Sequence, residues 1–199
     1  MKLLVTVTGL ALVGFGCAAF TVTAATSPDI SWNYLSAGYA KANIKISDGP
    51  RFKPDGYQLN GSYLLSNNIY LRGSYFDVTL SDTGVDLDTS EVTLSLGMRD
   101  AISHQVDSFF EAGYGRSVAK LNNVKETDNG VQASAGFRCR VTADLELDIA
   151  ARYSDLGDDE IIYGDLSARY RITPLFDFYA SYQFESDVSI FATGVVFNF

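Results

Sequence analysis

Nine charged residues in the C-terminal half of the chain fall at regular spacings: Arg138, Arg140, Glu146, Asp148, Arg152, Asp165, Arg169, Arg171 and Asp177. Guanidinium and carboxylate groups neutralise one another through charge-assisted hydrogen bonds. Catalysis asks for a different set. Hydrolysis or acyl transfer needs a base placed to take a proton. The single histidine, His104, falls in a predicted turn from Asp100 to Val106, away from these charges. The chain has no Gly-rich phosphate loop, no metal-spaced cluster of Cys and His, and no nucleotide fingerprint. Asp82, Asp86 and Asp88, then Asp155, Asp158, Asp159 and Glu160, carry the oxygen ligands that Ca²⁺ takes. Their spacing matches no binding loop, and they read as solvated charge. No catalytic residue, metal site or cofactor is expected.

The first five of the nine charges lie in one stretch, Val131 to Tyr153. There Val131, Ala133, Ala135, Phe137, Cys139 and Val141 alternate with Gln132, Ser134, Gly136, Arg138 and Arg140. Thr142-Ala143-Asp144 interrupts, and the alternation resumes with Leu145, Leu147, Ile149, Ala151 and Tyr153 against Glu146, Asp148, Ala150 and Arg152. A period of two puts the sets on opposite faces of a strand, and the short break makes a hairpin. Cys139 lies on the apolar face and reads as a small hydrophobe.

Pairing Val141 with Leu145 sets Arg140 opposite Glu146 and Arg138 opposite Asp148. A hairpin tip at Asp158-Asp159 sets Arg152 opposite Asp165, Asp148 opposite Arg169, and Glu146 opposite Arg171. A turn at Thr173-Pro174-Leu175 sets Arg171 opposite Asp177. Two polar rows result: Arg140, Glu146, Arg171, Asp177, and Arg138, Asp148, Arg169, Tyr179.

The rest of the chain repeats this pattern. A first strand from about Ile30 to Ile46 presents Leu35, Ala37 and Tyr39 on one face. Trp32 and Tyr34 sit on the other phase, which predicts a bulge or kink at its start. Further strands present Tyr57, Leu59 and Tyr63; Leu71 and Tyr75; Val92, Leu94 and Leu96; Phe110 and Tyr114; Leu166 and Tyr170; Phe178 and Tyr182; and Phe191 to Phe199. Tight turns such as Ser66-Asn67-Asn68 alternate with charged stretches at Asp48–Pro54, Ser81–Asp88, Ala119–Asp128 and Asp155–Glu160. The count is ten strands, with eight as the alternative.

Residues 1–25 read as a secretory signal peptide. Lys2 precedes an apolar run from Leu3 to Phe20, and Val22-Thr23-Ala24-Ala25 supplies small residues for cleavage. The net charge of −9 argues against a nucleic-acid partner. No later run is apolar over the length of a spanning helix, but strands of about ten residues cross a bilayer when tilted. There are 12 Tyr, 13 Phe and only 4 Pro. Export, alternation and aromatic strand ends predict that residues 26–199 form an antiparallel transmembrane β-barrel in the outer membrane. Apolar faces meet lipid, and the charged rows point inward and plug the lumen.

The opening SWNYLSAGY, the segment GYQLNGSYLLSNNIYLRGSY and the ending GVVFNF resemble the small outer-membrane barrels of Gram-negative bacteria, the OmpX/OmpA-like superfamily. Nearest among them are the short-loop barrels once described as a sulfation-dependent quorum factor. The resemblance covers nearly the whole chain after residue 25. It implies a non-enzymatic, monomeric barrel with a structural or envelope role and loop-borne interactions. Val195, Phe197 and Phe199 are similar to the C-terminal signal read by the barrel-assembly machinery. Expected partners are outer-membrane lipid, lipopolysaccharide, that machinery and periplasmic chaperones. Two other readings remain: a narrow ion or small-solute channel, and an outer-membrane hydrolase or acyltransferase, which the place of His104 disfavours.

Overall fold

Side chains that alternate between apolar and polar need a wall with two different surroundings, and the chain builds one by closing a sheet on itself. The computed structural model describes residues 30–45, 51–82, 85–121, 124–156 and 160–199. The expected signal peptide lies outside them, as do Asp158 and Asp159. The strands are β1 (Tyr34–Lys45), β2 (Arg51–Phe52), β3 (Asp55–Leu64), β4 (Ile69–Asp82), β5 (Val85–Ser103) and β6 (Val106–Leu121). They continue with β7 (Val124–Arg140), β8 (Leu145–Asp155), β9 (Glu160–Arg171), β10 (Phe176–Phe184) and β11 (Val188–Asn198).

From β3 onward each strand pairs antiparallel with the next, and β1 pairs with both β3 and β11. The seam runs unbroken from Tyr34 opposite Asn198 to Ile44 opposite Val188. The two-residue β2 hangs on the far end of β1. Among the described residues, ten long strands therefore close a barrel, and the eight-strand alternative falls. Closure pairs every long strand on both sides, which is what lets a sheet cross hydrocarbon.

The faces sort as the alternation requires. Leu94 (57% exposed), Phe110 (55%) and Ile149 (45%) project outward, as do Leu35, Phe178 and Val195. Such a coat is unfavourable in water and favourable in lipid. The buried side chains face the lumen. Both chain ends of the barrel meet at one rim, where Phe199 N–H donates to the Asn33 carbonyl. This is the terminal end, and the opposite rim is the loop end.

Four elements differ from expectation. The first strand has no bulge, and its kink falls just before it, where residues 30–33 turn into the lumen. β1 begins at Tyr34, and Trp32 and Tyr34 simply continue the inward phase of Ser36 and Ala40. Both rings fill the lumen. The loops placed at Ser81–Asp88 and Ala119–Asp128 are mostly strand: β4 reaches Asp82, β5 starts at Val85, β6 reaches Leu121 and β7 starts at Val124. Backbone pairing continues there beyond the apolar faces, so polar side chains do not end the strands. The turn placed at Asp100–Val106 shrinks to a tip at His104-Gln105, with a register shift between Ala101 and Ser103.

The fourth difference is the β8–β9 register. Asp155 pairs with Glu160, leaving a longer tip than the two residues expected. Asp165 therefore lies opposite Ala150, Arg169 opposite Glu146, and Ser167 opposite Asp148. The pairing is offset by two residues, so every side chain keeps its face. The expected polar rows are redrawn. One runs Arg140, Glu146, Arg169, Tyr179, and the other Arg138, Asp148, Ser167, Ser181.

Candidate functional site

The lumen is the candidate site, and its two ends are built differently. At the terminal end the segment from Ile30 to Asn33 turns into the barrel. Ile30, Trp32, Tyr70, Phe109 and Ala150 form a buried apolar cluster there. The Trp32 ring centroid lies 4.6 Å from that of Tyr70 and 5.8 Å from that of Phe109, the second pair edge to face. Gly97 makes this possible, because a Cβ there would occupy the Tyr70 ring. Trp32 Nε1 donates to Asp107 Oδ2 at 2.7 Å, which Arg99 also reaches at 3.0 Å. The Arg138 guanidinium lies over the Trp32 ring, 4.1 Å from its centroid. A cation over an indole face gains most when both are desolvated.

Around this plug most of the charges pair. Arg138 donates through Nε and Nη2 to Asp148 Oδ2, both at 3.0 Å, and through Nη1 to the Ser31 carbonyl. Arg140 Nη2 donates to Glu146 Oε1 at 2.6 Å, and Arg171 approaches the same oxygen at 3.8 Å. Arg169 lies opposite Tyr179 and makes its close contact with the Tyr34 ring, 3.9 Å from the centroid. Asp177 accepts from Asn198 Nδ2 at 2.9 Å. It faces Arg171 in register, but the pair forms no salt bridge.

The largest hub is mid-barrel. Glu111 on β6 accepts from Ser134 at 2.8 Å, Tyr70 at 3.0 Å, Arg152 at 3.0 Å and Arg72 at 3.4 Å. Arg72 is on β4 and Arg152 on β8, so the hub ties together strands that are not neighbours. Arg152 Nε also donates to Asp165 Oδ2 at 2.7 Å, a diagonal contact across the corrected register. Buried charges persist only when paired and hydrogen-bonded in this way.

Above the hub the lumen opens into a cavity of about 410 Å³. Its floor is polar: Gln58, Asn60, Arg72, Glu91, Gln132 and Arg152. Its collar, at the loop end, is apolar: Ala42, Ile44, Pro54, Val78, Leu87 and Ile190. A second, polar cavity of about 60 Å³ lies below, between Tyr34, Arg138, Asp148 and Arg169.

Of the nine charges read from the sequence, all lie on strands with their side chains turned from lipid. Arg138–Asp148, Arg140–Glu146 and Arg152–Asp165 come together, Glu146 also nears Arg171, and Asp177 does not meet a cation. Val195, Phe197 and Phe199 are on the lipid face, exposed. His104 is exposed at its tip. Asp88 pairs with Lys120 at 3.0 Å on the outside, and the side chains of Asp82 and Asp86 lie outside the described residues. Sequence reading missed Trp32, Tyr70, Arg72, Arg99, Asp107 and Glu111 as parts of the network. Tyr70, Arg72, Arg99, Asp107 and Glu111 sit on the inward phase of their strands, Trp32 continues that phase ahead of β1, and that phase was the available signal.

A family model for the outer membrane protein beta-barrel domain matches residues 8–199. No curated protein sequence matches the chain. Among solved structures, the chain is similar to the translocator domain of the autotransporter NalP from Neisseria meningitidis, with 9% identity, a TM-score of 0.51, and 87% of this chain and 90% of that one covered. It is also similar to Ail, the attachment invasion locus protein of Yersinia pestis, with 18% identity, a TM-score of 0.48, and coverage of 85% and 100%. OprG from Pseudomonas aeruginosa is similar at 10% identity and a TM-score of 0.45, with coverage of 86% and 98%.

Proposed function

The chain belongs to the outer membrane protein beta-barrel domain family, and from that premise we propose that it is a structural, non-conducting barrel of the envelope without enzymatic activity. One observation carries the reading: the terminal half of the lumen is filled by the Trp32–Tyr70–Phe109 cluster and by paired ions. An ion crossing the barrel would have to pass a packed aromatic layer and break ion pairs in a low-dielectric interior. The exposed His104, in a turn remote from the Glu111 hub, supports the absence of a proton-transfer site.

The apolar outer face suits outer-membrane lipid, with lipopolysaccharide at the loop end. Val195, Phe197 and Phe199, exposed on the outer face of β11, are the residues offered to the assembly machinery after delivery by periplasmic chaperones. A closed sheet without an open edge favours a monomer. The test is conductance of refolded residues 26–199 in planar bilayers, with folding confirmed by a heat-modifiable gel shift. Silent bilayers are expected. Discrete openings that change in Arg171→Gln would establish a conducting pore and overturn the reading.

A further inference from the structure

The loop-end cavity holds carboxylates that no cation matches among the described residues. Arg72 and Arg152 on its floor are already bound by Glu111 and Asp165. Glu91 is not matched in that way. Its Oε1 accepts from Gln132 Nε2 at 2.7 Å and from Thr93 Oγ1 at 3.3 Å, both neutral groups. Among the described residues it forms no ion pair. Glu185, which also lines the cavity, accepts from the Ser186 hydroxyl and the Asp187 N–H, and these hold its carboxyl below the usual range. Both carboxylates face a space collared by aliphatic side chains.

We propose that this cavity is a binding site for a small cationic amphiphile, a primary ammonium on an aliphatic or aromatic body. The ammonium sits at Glu91 among the amide oxygens of the floor, and the body packs against Ile44, Val78 and Ile190. The volume lies in the range of small-ligand pockets. Burying the body against the collar supplies affinity, and an ammonium–carboxylate hydrogen bond supplies selectivity. An anionic amphiphile is disfavoured, because it meets two unmatched carboxylates and must take an arginine from Glu111 or Asp165. The site is independent of conduction: a cavity closed at the terminal end binds without passing its ligand.

The experiment is calorimetric titration of hexylammonium into the barrel in lipid nanodiscs, with empty nanodiscs subtracted. Hexanoate and hexanol serve as comparators with the same tail. Glu91→Gln keeps the shape and removes the charge. Val188→Trp fills the collar while leaving Glu91 in place, so the two variants test the site from different sides. Both are checked for folding by gel shift. Expected are saturable one-to-one binding of hexylammonium, weakening by about tenfold or more in Glu91→Gln, loss in Val188→Trp, and weaker binding of hexanoate. No saturable heat above empty nanodiscs, undiminished binding in Glu91→Gln, or hexanoate binding as tightly as hexylammonium would each overturn the proposal.

Discussion

The two halves of the lumen use the same strands to opposite ends. In the terminal half, inward positions carry large or charged residues that meet across the barrel: Trp32, Tyr34, Tyr70, Phe109, Arg138, Arg140 and Glu146, all buried. In the loop half, inward positions carry Ala42, Val78, Thr89, Gln132 and Ile190, which line a cavity of about 410 Å³ instead of filling it. Backbone geometry is shared, so the difference lies in side-chain volume and charge matching. A barrel of this size is close to the width that side chains alone can fill. Small or short residues in one layer are therefore enough to turn a packed core into a cup. The wall deepens the cup unevenly, since β5 has 19 residues and β7 has 17 against 9 in β10.

The contrast can be broken most strongly in the plug. Trp32→Ala removes the ring on which Tyr70, Phe109 and Arg138 pack, and is expected to cost about 3–5 kcal/mol. Urea unfolding in liposomes measures the loss, and conductance would then appear if this layer is the seal. Glu111→Ala leaves Arg72 and Arg152 facing one another without their shared carboxylate. A cost of about 3–5 kcal/mol is expected, with Glu111→Gln recovering part of it. A loss no larger than that of a lipid-exposed alanine change would mean the hub is solvated and the plug is not one.

The outer face gives the next effect. Ile149→Arg places a charge near mid-strand between Phe137 and Leu166, with an expected cost of about 2–4 kcal/mol. Gln183→Arg, on the wall of the cup, is expected to change folding yield far less. Equal yields for the two in liposomes would refute the assignment of inside and outside. Smallest is Lys120→Ala. Its pair with Asp88 is about half exposed, and the expected change is below about 1 kcal/mol by the same unfolding assay.

Much of this was legible because a strand's parity is robust. Arg138–Asp148 and Arg140–Glu146 follow from one short turn at Thr142-Ala143-Asp144, and the structure has both pairs. The β8–β9 register was read two residues off, yet Arg152 still reaches Asp165 and Arg171 still approaches Glu146. A two-residue slip preserves the face, and a guanidinium spans the diagonal. The Glu111 hub was not legible in the same way. Its arginine partners come from β4 and β8, one strand beyond each neighbour of β6, and no turn length relates them.

The sequence by itself determined which side chains face lipid and which face the lumen, because period two is a property of the extended backbone and survives errors of register. It favoured ten crossings, since each needs its own apolar run between turns, and closure of β1 on β11 removed the eight-strand alternative. Only the tertiary structure decided what the inward residues do to one another. Whether Trp32 bends outward or plugs the barrel, whether Arg72 meets Glu111, and whether Glu91 is left without a cation all depend on distances across a closed cylinder. Those distances follow from how strands far apart in sequence curve to meet, as β1 and β11 do, and local pattern carries no information about them.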